Sequence, residues 1–216
     1  MLGGVDIAQR RSEYETAGID PDELDPDPVR QWRRWYDDAV AGGAYEPNAM
    51  TVATVDADGH PDSRYVLVRG ADARGFVFFT DGRSTKAVHL DAHPSAALVW
   101  GWLELHRQVR VRGRARRLDD VDVDAYFASR PRGSQLAAWA SHQSTVVASR
   151  AALDDRMVAV EHRFAGQLVP RPPAWTGYVV KPEEVEFWQG RANRFHDRVR
   201  YRHDADGVWI RERLSP

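Results

Sequence analysis

Gln108-Val-Arg-Val-Arg-Gly-Arg-Ala-Arg116 is the stretch that decides the fold class. Val109, Val111, Gly113 and Ala115 alternate with Gln108, Arg110, Arg112, Arg114 and Arg116, so a strand here has one apolar and one cationic side. The arginine row suits a solvated sheet surface or a dimer-facing one. The same period of two recurs upstream at Met50–Val55, Arg64–Arg69, Gly75–Thr80 and Ala96–Trp102, the first two joined by the turn-forming Asp56-Ala-Asp-Gly-His-Pro61. Downstream, strands are expected at Thr176–Lys181, Val185–Trp188, Asn193–Tyr201 and Gly207–Arg213. Helices are expected from Pro28 with Asp27 as cap and Gly42-Gly43 as stop, after Ser84, over 119–129, from Ser134, and over 149–164. Strands that follow one another with few helices between them predict an α+β protein, mainly β with helices. They favour an antiparallel barrel over a doubly wound parallel sheet. Residues 1–27 are polar, with an acidic, proline-rich run over 20–28. They read as a flexible N-terminal arm ahead of a single domain at 28–216.

The composition narrows the function. The chain of 216 residues has 30 basic and 32 acidic residues, a formal charge of −2, which argues against a general nucleic-acid binder. No apolar run approaches a membrane span, and the first fifteen residues lack the apolar centre of a signal peptide, so a cytoplasmic location is expected. Cysteine is absent, which removes disulfides, thiolate nucleophiles and cysteine-ligated metals. His89 and His93 share a helical spacing but have no third ligand beside them, so no metal is expected. There is no glycine-rich phosphate loop and no Gly-x-Ser-x-Gly, so redox chemistry would need a cofactor. Lysine occurs only at Lys86 and Lys181; nearly all positive charge is arginine, whose fork suits phosphate.

Four clusters carry cations or hydroxyls. Thr80-Asp-Gly-Arg-Ser84-Thr85-Lys86 puts a helix start beside a lysine, an anion site or a plain capped helix. Tyr126 and Arg130 lie four apart on one helical face, Pro131 breaks the helix, and Ser134 caps the next; the group could converge on a phosphate or form a structural corner. In a strand, Arg194, His196 and Arg198 would share a face that invites an anion, or would form an edge salted by Asp197. Trp188 could stack on a flat ring or fill the core. Arg64 and Arg69, five apart, fall on opposite faces of a regular strand and serve one site only if the strand bends or the site wraps its end. Several anion sites without a metal suggest two phosphorylated ligands or one large one.

Taken in order, Arg64–Arg69, Phe79-Thr80, Ser84-Thr85-Lys86, Arg107-Gln108-Val109, Tyr126-Phe-Ala-Ser-Arg130-Pro-Arg-Gly-Ser134-Gln, Gln143-Ser144, Phe187-Trp-Gln-Gly190, Arg194-Phe-His196-Asp-Arg198 and Arg213-Leu-Ser-Pro216 form a specific set. The set resembles the pyridoxamine/pyridoxine 5′-phosphate oxidases, FMN enzymes that make pyridoxal 5′-phosphate, from about Arg11 to the C-terminus. Composition and periodicity alone do not name this family. The resemblance implies an FMN-binding split barrel, a homodimer with sites at the interface, and a cofactor held by Arg64, Phe79, Thr80, Thr85, Lys86, Gln108, Gln143, Ser144, Trp188 and Arg198. It implies a substrate phosphate on Arg69, Tyr126, Arg130 and Ser134, with Arg194 and His196 as catalytic residues against the substrate ring. Arg11 and Tyr14 match the family's Arg-x-x-Tyr lid. Three positions depart from the family: Arg69 stands for a usual lysine, Thr85 for a frequent arginine, and Phe79 for a common tyrosine.

The implied reaction is oxidation of pyridoxamine 5′-phosphate and pyridoxine 5′-phosphate at C4′, with O2 reduced to H2O2. Arg69 keeps open a related oxidase of another flat substrate, such as the phenazine-pathway flavoenzymes. A flavin or pyridoxal-phosphate carrier without turnover is the non-enzymatic alternative, against which Arg194 and His196 argue. A nucleic-acid-binding barrel rests on Arg110–Arg116 alone.

Overall fold

The structure, a computed structural model, describes Tyr14 and Thr16–Pro216; the Arg11 expected in the lid lies outside the described residues. Helix α1 (Pro28–Ala41) starts where Asp27 accepts hydrogen bonds from the Val29 and Arg30 amides, with Pro28 where its missing N–H costs nothing, and stops at Gly42. The strands are β1 (Ala49–Val55), β2 (Pro61–Leu67), β3 (Gly70–Asp72), β4 (Gly75–Asp81), β5 (Ser95–Trp102), β6 (Arg107–Arg117), β7 (Trp175–Gln189), β8 (Asp197–His203) and β9 (Trp209–Leu214). Helices α2 (Thr85–Ala92), α3 (Asp120–Ser129), α4 (Arg132–Ala140) and α5 (Arg150–Arg163) lie between them. Hydrogen bonding runs β2-β1-β5-β6-β7-β4-β3, with β8 on β7 and β9 on β8. The pairs β1–β2, β3–β4, β4–β7, β7–β8 and β8–β9 are antiparallel, as the α+β reading expects.

Two compact units divide the chain. One comprises the described residues up to Pro47 with Val99–Val111 and Glu184–Pro216. Its core is aromatic: Trp32 meets Trp100 edge-on at 5.1 Å, Trp35 meets Phe187 at 5.1 Å, and Phe187 meets Tyr201 at 5.4 Å. The Tyr201 hydroxyl donates to the Asp25 carbonyl, and the Asp25 carboxylate pairs with Arg30 and Arg34, which ties the residues ahead of α1 to this core. The other unit comprises Asn48–Leu98 and Arg112–Glu183. There Val77, Leu118, Val123, Phe127, Leu136, Phe164, Trp175 and Val179 are buried together, with Met157 and Val160 of α5 against them.

Several expected boundaries move. The expected strands at 176–181 and 185–188 are one, β7. Its residues 175–180 pair with β4 and 184–189 with β8, so the partner changes at Lys181–Glu183, and Pro182, which has no N–H to give, sits where the ladder needs none. Strand β2 ends at Leu67 and not at Arg69, because its seven residues pair one to one with β1 and the Asp56 carboxylate closes the turn by accepting from the Asp58 and His60 amides. The short strand β3 was not foreseen. The stretch expected to be strand from Asn193 begins as a 3₁₀ turn, Ala192–Arg194, with Asn193 at φ +56° and Arg194 at +59°, and β8 starts only at Asp197.

A Cβ built on Gly113 would stand 2.1 Å from the Lys181 carbonyl oxygen, a backbone atom that cannot swing away. One built on Gly133 meets nothing within 4 Å. Gly113→Ala is therefore expected to lower the unfolding free energy by about 2 kcal/mol, whereas Gly133→Ala, in a helix, should raise it by about 0.5 kcal/mol. Denaturant midpoints at constant slope measure both.

Candidate active site

The second unit holds a cavity of about 670 Å³, within the usual range for a small-molecule site. Its wall carries four cations, Arg64, Arg69, Lys86 and Arg130, and no carboxylate. Arg64 is paired with Asp62 behind the wall, and the excess of positive charge facing the cavity suits an anionic occupant.

One group of polar atoms comes from β4, α2 and the segment after α4. The Thr80 hydroxyl, buried, donates to Gln143 Oε1 at 3.0 Å, and Lys86 Nζ donates to Thr80 Oγ1 and Gln143 Oε1, both at 3.2 Å. Burial, and then the positive charge of Arg64, push the Lys86 ammonium below the usual lysine range, with Asp81 and Asp62 offsetting part of this. Ser84 occupies the N-cap position of α2 but does not cap it; its hydroxyl lies 3.2 Å from Thr80 Oγ1. Ser144, at φ +65°, accepts from the Thr85 amide at 3.2 Å. The expected residues Thr80, Thr85, Lys86, Gln143 and Ser144 are thus one hydrogen-bonded group around the start of α2.

The second group stands at the α3–α4 corner. Tyr126, Arg130 and Ser134 line the cavity together, as their helical spacing predicts. Ser134 does so from within the first turn of α4; Pro131 holds the cap position expected for it, because the helix restarts directly after the proline. The Arg130 guanidinium lies 4.1 Å from the Trp175 ring centroid, and its Nη1 is buried without a hydrogen-bond partner. Burial lowers the Arg130 pKa, with Arg69 adding to the effect and Tyr126 opposing it. Phe79 stacks on Tyr126 at 3.8 Å and 10°. Gly177 makes room for that stack: a Cβ there would stand 2.8 Å from the Phe79 ring. Arg64 and Arg69, placed on opposite strand faces by simple alternation, both reach the cavity because Arg69 lies beyond the end of β2.

The remaining expected residues belong to the first unit, and none of them is on this cavity's wall. Trp188 pairs in register with Arg198, and Arg198 is gripped by Glu186 through Nε at 2.9 Å and Nη2 at 3.1 Å. Its Nη1 donates to the Ser215 carbonyl. His196 Nδ1 accepts from the Arg191 amide at 3.1 Å, so the neutral ring carries its proton on Nε2. The His196 ring lies 4.7 Å from Trp188, and Tyr14 packs 5.8 Å from His196 and 4.3 Å from His106. Arg194 follows a left-handed turn instead of alternating along a strand, and among the described residues its guanidinium has neither an ion pair nor a hydrogen bond. Gln108 is half-buried on β6. Trp175, beneath Arg130, and Thr54, behind Arg64, were missed; Trp175 gives no local signal, while Thr54 is a polar residue in the buried series Met50, Val52, Thr54.

A family model described as pyridoxamine 5′-phosphate oxidase matches residues 36–189, and one described as pyridoxine 5′-phosphate oxidase C-terminal dimerisation region matches 175–216. The chain is 53% identical over 211 residues to the pyridoxine/pyridoxamine 5′-phosphate oxidase of Rubrobacter xylanophilus, across 98% of this chain and 97% of that one. It is 49% identical to that of Cupriavidus metallidurans, across 97% and 99%. Among solved structures, PhzG from Burkholderia lata, in complex with tetrahydrophenazine-1-carboxylic acid, aligns with a TM-score of 0.88 at 29% identity over 95% of this chain and 100% of that one. A pyridoxamine 5′-phosphate oxidase-related, FMN-binding protein from Nostoc punctiforme shares the fold, with a TM-score of 0.70 at 18% identity over 89% and 100%.

An anion settling beside Lys86 restores the charge that burial and Arg64 disfavour, so binding raises the Lys86 pKa and takes up protons wherever the free ammonium is partly ionised. At about pH 9 a phosphomonoester is already a dianion and supplies none of that effect. Calorimetric titration with FMN in two buffers of different ionisation enthalpy should show proton uptake, with affinity falling as pH rises, and Lys86→Met should abolish the uptake.

Proposed function

Because the chain belongs to the pyridoxamine 5′-phosphate oxidase family, we propose that it oxidises pyridoxamine 5′-phosphate and pyridoxine 5′-phosphate to pyridoxal 5′-phosphate, with FMN as cofactor and O2 reduced to H2O2. The observation that carries the reading is the cavity wall of four cations without a carboxylate. Its two polar groups, one around the start of α2 and one at the α3–α4 corner, suit two phosphorylated ligands. The buried, unpartnered Arg130 Nη1 is the kind of donor a phosphate satisfies. The residues present in the cavity unit fit FMN: Arg64, Thr80, Thr85, Lys86, Gln143 and Ser144 would hold it beside Phe79. Bound FMN supplies a flavin ring that accepts a hydride and passes electrons to oxygen.

The protein's part is to bind and orient. Arg69, Tyr126, Arg130 and Ser134 take the substrate phosphate; Arg69 does so with a planar fork in place of an ammonium. Arg194, without a partner among the described residues and set on a left-handed backbone, orients the C4′ group. A guanidinium donates hydrogen bonds and is not a base at ordinary pH, so its role is positional. His196, its Nδ1 engaged by Arg191, donates from Nε2 to the ring oxygen. The dimerisation-region match over 175–216 supports a homodimer with sites at the interface. Fixing both ligands by their phosphates supplies the orientation the reaction needs.

The likeness to PhzG favours a second reading, an oxidase of another flat, unphosphorylated ring. The Tyr126–Arg130–Ser134 group argues against it. Oxygen consumption by FMN-loaded protein separates the two: turnover is expected with pyridoxine 5′-phosphate and not with pyridoxine, and equal turnover of both would sink the phosphate assignment. Arg130→Ala should lower kcat/KM for the phosphorylated substrate at least about tenfold, the worth of a charge-assisted hydrogen bond.

A further inference from the structure

We infer that Thr54 and His89 are positioning residues for Arg64, forming a hydroxyl relay that sets the guanidinium against the FMN phosphate. The inference rests on the assignment of Arg64 to that cofactor. Strand register places Arg64 opposite Val52, and Thr54 stands two residues further along β1 on the same buried face. Arg64 Nη1 donates to the Val52 carbonyl at 3.1 Å and to Thr54 Oγ1 at 2.8 Å, and Nη2 donates to the Asp62 carboxylate. These three bonds use three of the five guanidinium hydrogens and leave two for a ligand.

The direction of the relay follows from valence. A guanidinium only donates, so Thr54 accepts from Arg64; were its second lone pair to accept from His89, its own buried hydrogen would have no acceptor among the described residues. The acceptor 3.0 Å away is His89 Nδ1, on α2. That assignment fixes His89 as the tautomer with its proton on Nε2. Thr54 is 1% exposed, so losing either partner would leave a buried polar group unpaired. His89 lies one helical turn from Lys86, so the same relay registers α2, which carries one cation of the site, against the β1–β2 pair, which carries another. Arg64 and Lys86 repel each other, and a neutral link of this kind helps hold them near one ligand, beside the Asp62 carboxylate on Arg64 Nη2.

Two measurements test the relay, one of them independent of FMN. In ligand-free protein, nitrogen NMR of the histidines should find His89 Nδ1 unprotonated and Nε2 protonated, a preference lost in Thr54→Val; an Nδ1–H tautomer overturns the proposal. In FMN titrations followed by flavin fluorescence, Thr54→Val and His89→Leu should each weaken binding about tenfold, and His89→Asn, which offers an oxygen near the place of Nδ1, should bind within about threefold of wild type. Thermal melts confirm folding, and the two His89 variants decide the matter if Thr54→Val does not fold. Arg64→Ala is the reference. If it weakens FMN binding while folded Thr54→Val or His89→Leu bind as wild type, the relay is overturned. If Arg64→Ala itself binds as wild type, the assignment of Arg64 to the cofactor fails, and the relay's role falls with it, whatever the NMR shows of the tautomer.

Discussion

Four like charges share one cavity wall, which itself carries no carboxylate. At an effective dielectric of about 20, two unit charges some 6 Å apart repel by roughly 3 kcal/mol, a large part of a domain's stability of about 5–15 kcal/mol. Most of what steadies these groups is uncharged, the Asp62 carboxylate on Arg64 Nη2 aside. Arg130 lies on the Trp175 ring, Lys86 donates to a hydroxyl and an amide oxygen, and Arg64 Nη1 donates to a carbonyl and a hydroxyl. Neutral acceptors and an aromatic face orient a cation while leaving its charge for a ligand, whereas a carboxylate would neutralise it.

Many arginines outside the cavity are paired with acids instead. Arg117 pairs with Asp91, Arg171 with Asp120 and Asp124, and Arg213 with Asp20 and Asp197. Arg202 and Arg200 together hold the Glu212 carboxyl down at about 2. Such exposed pairs contribute little to stability, but they show that this chain readily supplies acids to its arginines. An arginine-rich composition therefore carries no functional information by itself. The information lies in where the cations gather, above all on the cavity wall, and only the three-dimensional arrangement shows it.

That arrangement also sets how much the sequence could disclose. The alternation in β6, the Asp27-Pro28 helix start and the spacing of Tyr126 and Arg130 are local, and each is met by the structure. The convergence of Arg64 and Arg69 is not local: it depends on β2 ending at Leu67, which pairing with β1 determines. The continuity of β7 through Pro182 depends on a change of partner strand there. Thr54 carried a readable trace, a hydroxyl in a buried position, but its meaning needed the two groups it joins, one from β2 and one from α2. The family resemblance supplied the roles of residues that no periodicity could rank, and the geometry then showed which of them have donors free.

Arg194 shows how backbone strain and side-chain freedom go together. A left-handed conformation costs a residue with a Cβ about 1–2 kcal/mol, and here two such residues are adjacent. Asn193 is suited to it; Arg194 is not. The turn is held from both ends. The Phe195 amide donates to the Ala192 carbonyl, the Arg191 amide donates to His196 Nδ1, and the Arg191 guanidinium pairs with Asp197. Strain persists only where the surroundings over-determine it, and these bonds do so without touching the Arg194 side chain. The same turn that fixes the His196 tautomer therefore presents a guanidinium with no partner among the described residues. The departure from strand geometry takes Arg194 out of the alternation that β8 continues, and among the described residues no acid pairs with it.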